Sequence, residues 1–469
     1  MESRTKTTKH NKSEQGRHHH ADERLEARAV LEHGIKAQQI HPNVLFICHR
    51  LVEQGYTALI VGGAVRDLLL GRSPKDFDLV TSARPEKVKT MFRNARLIGR
   101  RFKLAELRFP SMSVEVATFR SEPQVSSNGM IKRDNRYGTP EEDAFRRDFT
   151  INALSFDPLT LELFDYVGGL QDVRSGRVRT IKPPGESIQE DPVRMLRAVR
   201  FKMRLGFQMD SLLEKEIRAN VRLLGNVTRH RLAEETQRFL TRANAEPMYG
   251  EFARLGLLKP LLHMKSQPWF FSQEAQRDPL PVLGPLLKRM DEWLGSGRET
   301  PPATVAQLAL LLTLSEPGVW KALFPGAGGK KGAAPSANFW QKLSGFLSDW
   351  GMLNGQVEPA VRILKAAEML QRAGCGDAAA RGDAAPGDDT PGIREGWLLL
   401  AMLKEPLRID GGYLEAGLSR LDELPDLPIL DHPRPQGRTK SRKKRRPSGR
   451  QRGRDRNRKP SAEELSPDF

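Results

Sequence analysis

Residues 59–80 read LIVGGAVRDLLLGRSPKDFDLV, and two pairs of residues in that run could do chemistry. Gly62 and Gly63 close an apolar run that reads as a buried strand. Glycine lets a backbone turn sharply and approach a ligand. A short helical pattern over residues 64–70 follows, so the two glycine amides can face a phosphate chain. Asp76 and Asp78 then flank Phe77 at the start of a second apolar run. Alternate residues of a strand share a face, so the two carboxylates stand side by side. Keeping both ionised on a buried strand is costly, and a divalent cation removes that cost. Two Mg2+ ions roughly 3.5–4 Å apart, held by Asp76 and Asp78, would suit phosphoryl or nucleotidyl transfer. Alone, a D-x-D pair is more often a solvated turn or cap. The strand, Gly-Gly turn and helix just upstream favour the metal site here.

Three further clusters could complete such a site. Arg146-Arg147-Asp148 opens the run RRDFTINAL. Paired guanidinium forks suit a triphosphate, although an isolated RRD is usually a surface ion-pair network. Glu190-Asp191-Pro192-Val193-Arg194 comes next. Asp191 reads as a helix cap with Pro192 at the first helical position. Asp191 and Arg194, three apart, share a helix face, and Arg197 and Arg200 continue that stripe. The plain reading of an isolated run of this kind is an N-cap and a salt-bridged basic face. Residues 113–119, SVEVATF, alternate cleanly, with Glu115 on the face opposite Val114 and Val116. A lone Glu there usually meets solvent, but a third carboxylate beside the metals fits the same pattern.

The elements that must position these residues follow from local pattern. Residues 42–54 carry apolar residues at helical spacing, from Pro42 to a stop at Gly55. Residues 24–33 read as a short helix, and residues 85–94 as a helix over the sheet. Residues 96–109 read as strand, basic turn and strand. Residues 122–137 read as a polar loop, and residues 164–176, FDYVGGLQDVRSG, as a flexible Gly-Gly loop. The helix begun at Asp191 ends at Gly206. From residue 210 to about 430 the pattern is helical, broken by Gly/Ala-rich stretches near 325–337 and 374–396.

Composition bounds the partners. The chain has 469 residues, 38% of them hydrophobic, enough for two to four domains. Its net charge of +18 favours a polyanion, either nucleic acid or an anionic membrane surface. No run of apolar residues is long enough to span a membrane, and the polar first 24 residues hold no secretory signal. Cys48 and Cys375 are the only cysteines, which excludes a disulfide framework, argues against zinc, and makes a reducing cytoplasm the expected compartment.

GGAVRDLLLG followed by DFDLV, together with RRDFTINAL and EDPVR, resembles the nucleotidyltransferase superfamily that extends RNA 3′ ends. Its members include class II tRNA CCA-adding enzymes and bacterial poly(A) polymerases. The resemblance is specific from about residue 33 to 207 and diffuse to about 430. It implies an α+β fold: a small mixed-sheet catalytic head over residues 25–180, an all-helical neck over 181–270 and a helical body over 271–430. A disordered N-terminus (1–24) and a disordered basic tail (431–469) would flank them. By the resemblance Asp148 joins Asp76 and Asp78 in the catalytic centre; Glu115, from the strand pattern alone, is a further candidate for the metals. Gly62, Gly63, Arg66, Arg146 and Arg147 would hold the nucleotide, and Asn152 would support the same loop. Glu190, Asp191, Arg194 and Arg197 would act as a protein template for the base. A carboxylate accepts from the adenine N6 or cytosine N4 amino group, and uracil and guanine present a carbonyl oxygen there. The run thus favours A and C without choosing between them. Gly99-Arg-Arg-Phe-Lys-Leu-Ala105, His33-Gly-Ile-Lys36 and the basic tail resemble the poly(A) polymerases. The resemblance implies template-independent addition of AMP from ATP to a single-stranded RNA 3′ end, with two Mg2+ and partners from RNA decay. The alternatives are a tRNA CCA-adding enzyme, an A- or C-adding partner in a split system, and a non-catalytic RNA-binding protein on a degenerate head.

Overall fold

The segment Ala58–Val61 is buried along its whole length and forms a central strand, as an unbroken apolar run predicts. The computed structural model describes residues 28–30, 32–99, 103–121, 124–125, 131–133, 137–241, 244–264, 269–324, 334–374, 391–407 and 409. All of them fall within the first of two compact units, which ends at Pro425. The N-terminal stretch 1–24, the basic turn residues 100–102, most of the loop 122–137 and of the two Gly/Ala-rich stretches, and the tail 431–469 lie outside the described residues.

The head strands are β1 (Arg28–Val30), β2 (Ala58–Val61), β3 (Asp78–Thr81), β4 (Ala95–Ile98), β5 (Leu104–Arg108), β6 (Ser113–Thr118), a short pair β7 (Gln124–Val125) and β8 (Ile131–Arg133), β9 (Ser155–Asp157) and β10 (Glu162–Asp165). Eight of them form one sheet in the order β1-β10-β9-β2-β3-β6-β5-β4. Only β3 and β6 run parallel within it. The crossover between them carries helix α3 (Pro85–Met91), which packs on β4, β5 and β6. Helix α1 (Pro42–Glu53) buries Val44, Ile47, Cys48 and Leu51 at the spacing the sequence shows. Helix α2 (Gly63–Leu69) follows β2 directly and stops at Gly71, whose φ of 68° lies in the left-handed region that favours glycine.

Two expectations are corrected. Residues 28–30 of the segment read as a helix form strand β1, paired antiparallel with β10. The ladder available at the sheet edge overrides local helix preference. The Gly-Gly loop is instead helix α5 (Gly169–Ser175), following α4 (Pro140–Phe145). Its first amides are held by Asp165, whose carboxylate accepts from Val167, Gly169 and Leu170 at 2.9–3.1 Å. Gly168 and Gly176 take the left-handed backbone at its two ends. The glycines mark helix boundaries rather than mobility.

After α5, strand β11 (Arg177–Val178) pairs in parallel with β12 (Gln208–Met209) and brackets α6 (Pro184–Glu190) and α7 (Val193–Leu205). Helix α7 buries Met195, Leu196, Ala198 and Val199 and ends at Gly206 with φ 74°. Beyond β12 lie α8 (Ser211–Asn220), α9 (Arg229–Leu240), α10 (Ala245–Arg254), α11 (Leu258–Leu262), α12 (Gln273–Arg277), α13 (Pro279–Gly295), α14 (Ala303–Leu314), α15 (Pro317–Leu323), α16 (Ala337–Trp350), α17 (Asn354–Gly374) and α18 (Ile393–Leu403). Helix α14 is apolar all round and is enclosed by α9, α13, α17 and α18. An α+β fold, with its sheet confined to the head, is thus the architecture.

Candidate active site

A polar cleft of about 500 Å3 opens between the β2–α2 turn, the loop after α4 and one face of α7. Its floor is the Gly-Gly turn. Gly62 has φ 73°, and a Cβ there would lie 3.3 Å from Nη1 of Arg147; a Cβ on Gly63 would lie 3.4 Å from Nη2 of Arg66. The glycines therefore make room for two guanidinium groups. The Gly62 amide donates to the Leu154 carbonyl at 3.4 Å, so it is not turned toward a ligand. Arg66 is buried in the floor: Nε and Nη2 donate to Asp67 at 2.9 and 2.6 Å, and Nη1 donates to Asn152 at 2.6 Å. Asn152 donates on to Asp148 at 3.5 Å.

The acidic wall is a row across three strands. Asp78 on β3 stands opposite Glu115 on β6, which stands opposite Glu106 on β5. Asp76 precedes β3, with the intervening Phe77 turned into the core. Loss of water raises the Asp78 pKa; Arg147 pulls it back and Asp76 adds to the rise. Loss of water likewise raises that of Glu115, with Asp78, Glu106 and Asp76 adding to it. Crowded hard oxygen donors of this kind fit Mg2+. Among the described residues no three such side chains converge tightly enough to hold a metal alone.

The basic wall is organised by a residue that the sequence reading passed over. Asp143 on α4 is buried and accepts from Arg146 at 2.9 and 2.8 Å through Oδ1 and from Arg147 at 3.2 and 2.9 Å through Oδ2. Burial works against its charge, but Arg147 and Arg146 hold its pKa below the usual carboxylate value. Its spacing three and four residues ahead of the arginine pair was the available signal. Asp148 accepts from the Phe149 amide at 2.9 Å and from Nε of Arg197 at 2.6 Å, joining the head loop to α7.

Asp191 lies between α6 and α7 with φ −150°, so it is not on the α7 face. It does cap: Oδ1 accepts from the Val193 amide at 3.1 Å, while Oδ2 accepts from Arg231 at 2.5 Å. Arg194 donates instead to Glu190 at 2.9 Å and to the Ser187 hydroxyl and carbonyl at 2.9 and 3.1 Å. The expected stripe is corrected at Arg200, which leaves the cleft for buried Glu235 on α9 at 3.3 Å. A strict three-residue step drifts around a 3.6-residue helix. The stripe that faces the cleft is Arg194, Arg197, Phe201 and Arg204. The sequence reading missed the last two. Gly62, Gly63, Arg66, Asp78, Arg146, Arg147, Asp148, Asn152, Asp191, Arg194 and Arg197 line the cleft as expected residues brought together. Asp76, Glu115 and Glu190, all exposed, are not among the residues that line it.

Residues 58–179 match the poly A polymerase head domain, and residues 206–266 match the probable RNA and SrmB-binding site of polymerase A. By these matches the chain is similar to members of the class II nucleotidyltransferase superfamily. It is 39% identical over 282 residues to Poly(A) polymerase I of Salmonella typhi, covering 58% of this chain and 60% of that relative. It is 38% identical over 194 residues to the CCA-adding enzyme of Bacillus pumilus, covering 41% and 48%. The solved CCA-adding enzyme of Bacillus stearothermophilus in complex with CTP is 26% identical with a TM-score of 0.52, covering 83% of this chain and 84% of that one. The chain thus spans about 60% of the length of the Salmonella relative. Gly62, Gly63, Arg66, Asp78, Arg146, Arg147, Asp148 and Asn152 of the cleft lie within the matched head segment.

Proposed function

We propose that this nucleotidyltransferase adds AMP from ATP to RNA 3′ ends without a template. The observation that carries the proposal is the meeting, in one cleft, of Asp78 on β3 and the Arg146-Arg147-Asp148 run with Asp191 at the α6–α7 junction and the α7 face that begins at Arg194. Polyadenylation is preferred to CCA addition because the match to Poly(A) polymerase I extends over 282 residues at 39% identity, against 194 at 38% and 228 at 34% for two CCA-adding relatives.

Asp76 and Asp78, with Glu115 beside them, would hold two Mg2+, which when bound neutralise charge on the transferred phosphate and acidify the attacking hydroxyl. Arg146 and Arg147, pre-aligned by Asp143, bind the triphosphate. Asp191 keeps lone pairs for the adenine N6 amino group, and Arg194, fixed through Nη1, has Nε and Nη2 to offer a ring nitrogen. The RNA 3′ oxygen forms the new bond to the α-phosphorus, the bond to the bridging oxygen breaks, and pyrophosphate leaves. We divide the chain into a catalytic head (25–180), a base-selecting and RNA-binding neck (181–270) and a helical body (271–430). Among the described residues no helix is long and apolar enough to cross a membrane. The proposed work is cytoplasmic and feeds RNA processing or decay.

The test offers each NTP separately on oligo(A) and on tRNA lacking its CCA end. ATP-only extension of oligo(A) is expected. Efficient CTP incorporation on the tRNA would assign the CCA-adding activity instead, and no incorporation on either would leave an RNA-binding protein.

A further inference from the structure

Six arginines line the cleft, and five of them touch a carboxylate. Arg66 meets Asp67 at 2.6 Å, Arg146 and Arg147 meet Asp143 at 2.8 and 2.9 Å, Arg194 meets Glu190 at 2.9 Å, and Arg197 meets Asp148 at 2.6 Å. Arg204 is different. Its nearest carboxylate oxygen, Oδ2 of Asp67, is 3.8 Å away, and its guanidinium makes no hydrogen bond among the described residues. Asp67 is already engaged through Oδ1 by Arg66, so one carboxylate faces two guanidinium groups. The imbalance leaves a local positive charge at this end of the cleft. The Arg204 side chain is 36% exposed, open enough to meet a ligand.

Its place on the helix says which part of a ligand it meets. Arg194, Arg197, Phe201 and Arg204 share one face of α7, and ten residues of helix span about 15 Å. The Asp191–Arg194 end is the end assigned to the base. The Arg204 end lies against α2, which starts at Gly63 in the floor of the cleft. A nucleotide laid along α7 with its base at Asp191 brings its phosphate chain toward Arg204.

We propose that Arg204 is a substrate-binding residue that holds the terminal phosphates of the incoming nucleoside triphosphate, and holds the pyrophosphate product through the same contact. The assignment rests on the nucleotidyl-transfer reading. A guanidinium fork matches phosphate oxygens, and a cation held only by a 3.8 Å ion pair to a carboxylate that Arg66 already engages gives up little when phosphate arrives. A nucleoside monophosphate is too short to reach from the base end, so the contact discriminates by phosphate number.

The test measures equilibrium binding by the full-length protein of ATP, AMP and an oligo(A) RNA, each alone, for wild type, Arg204→Ala, Arg204→Gln and Arg204→Lys. The Ala and Gln variants should bind ATP roughly tenfold more weakly, the effect of losing one charge-assisted phosphate contact. Their AMP and oligo(A) binding should stay at the wild-type level. The Lys variant should fall between, because an ammonium supplies charge without the fork. Equal losses for ATP and AMP would make Arg204 structural, and a loss confined to oligo(A) would assign it to the RNA backbone. Unchanged ATP binding overturns the proposal outright. If the Ala variant does not fold, the Gln variant, which keeps a polar side chain without the charge, carries the comparison. Wild-type protein that binds no nucleotide would sink the proposed function itself, whereas wild-type binding left unaltered by every substitution sinks only this assignment.

Discussion

Asp78 meets the cleft from a strand on which one neighbour is the apolar Val61 and the other is Glu115. Carboxylates in that setting repel one another, and Asp78→Asn or Asp76→Asn relieves the repulsion while removing a metal donor. Each change should lower nucleotide addition by at least about 100-fold, the scale for losing charge stabilisation in a transition state. RNA binding and the thermal unfolding midpoint should not fall. Wild-type turnover in either variant would remove the acidic wall from the reaction. At the other end of the cleft, Arg194→Ala should reduce discrimination against UTP and GTP by roughly 10- to 100-fold. Because Glu190 orients Arg194, Glu190→Gln should shift selectivity in the same direction by less. The four kcat/KM values decide it: an equal loss for every NTP would mean a structural pair. These residues were legible because each motif is local, with its chemistry in five to ten consecutive residues. Asp143 was not singled out because nothing in its own run marks it as buried; its role exists only through the two guanidinium groups folded back on it. Arg200 was misplaced, and Phe201 and Arg204 were missed, because a three-residue step was followed where the helix face alternates three and four.

Helices are where the sequence was readable in outline and unreadable in contact. The end of α7 at Gly206 and the buried stripe of α1 follow from glycine and apolar spacing. What α5 presses on does not. A Cβ on Gly169 would sit 2.3 Å from the Thr150 carbonyl oxygen, within the turn Thr150–Asn152 that carries Asn152 to the cleft. Gly169→Ala should therefore destabilise the protein by about 1–3 kcal/mol, the usual range for overpacking, and lower activity beyond that. Urea titration and turnover at a temperature where the variant remains folded separate the two effects; unaltered stability would show that the turn shifts without cost. A second element contact is electrostatic. Glu251 on α10 accepts from Arg254 at 2.6 and 2.7 Å and from Lys202 of α7 at 2.6 Å. Arg254 most of all, with Lys202 adding, holds the Glu251 pKa at about 2 against burial. A depressed carboxylate pKa contributes stability that is present above the unfolded value and is lost as pH falls through the folded one. Glu251→Gln should cost about 1–3 kcal/mol at pH 7, and the gap to wild type should narrow as pH falls below about 4.5 toward 2. A gap that stayed constant down to acid would mean that the carboxylate charge contributes nothing to the contact between α7 and α10.

At the scale of the whole molecule, charge is segregated along the chain. Residues 434–459 hold 14 Lys and Arg against the single acidic residue Asp455, a net +13 of the total +18. The rest of the chain is therefore only mildly basic, by subtraction +5. Those 26 residues contain no apolar side chain, so the sequence offers nothing for them to fold around and leaves their charge available to phosphates. They lie outside the described residues, and composition alone carries the argument here. If this segment meets RNA, it does so without sequence preference and through counterion release. For single strands the log–log salt slope is about −0.7 per neutralised phosphate, so five or six contacts would contribute roughly −4. Truncation at Pro433 should weaken RNA affinity and flatten the salt dependence by about that amount, while turnover at saturating RNA stays near wild type. The cleft should be untouched, because every residue that lines it precedes residue 205. RNA titrations across a range of salt concentrations, for the full-length and shortened proteins, measure both slopes. Parallel lines would mean that the tail serves only solubility, and the grip on the RNA backbone would then have to come from the helical region over residues 206–266, which matches the RNA-binding family model.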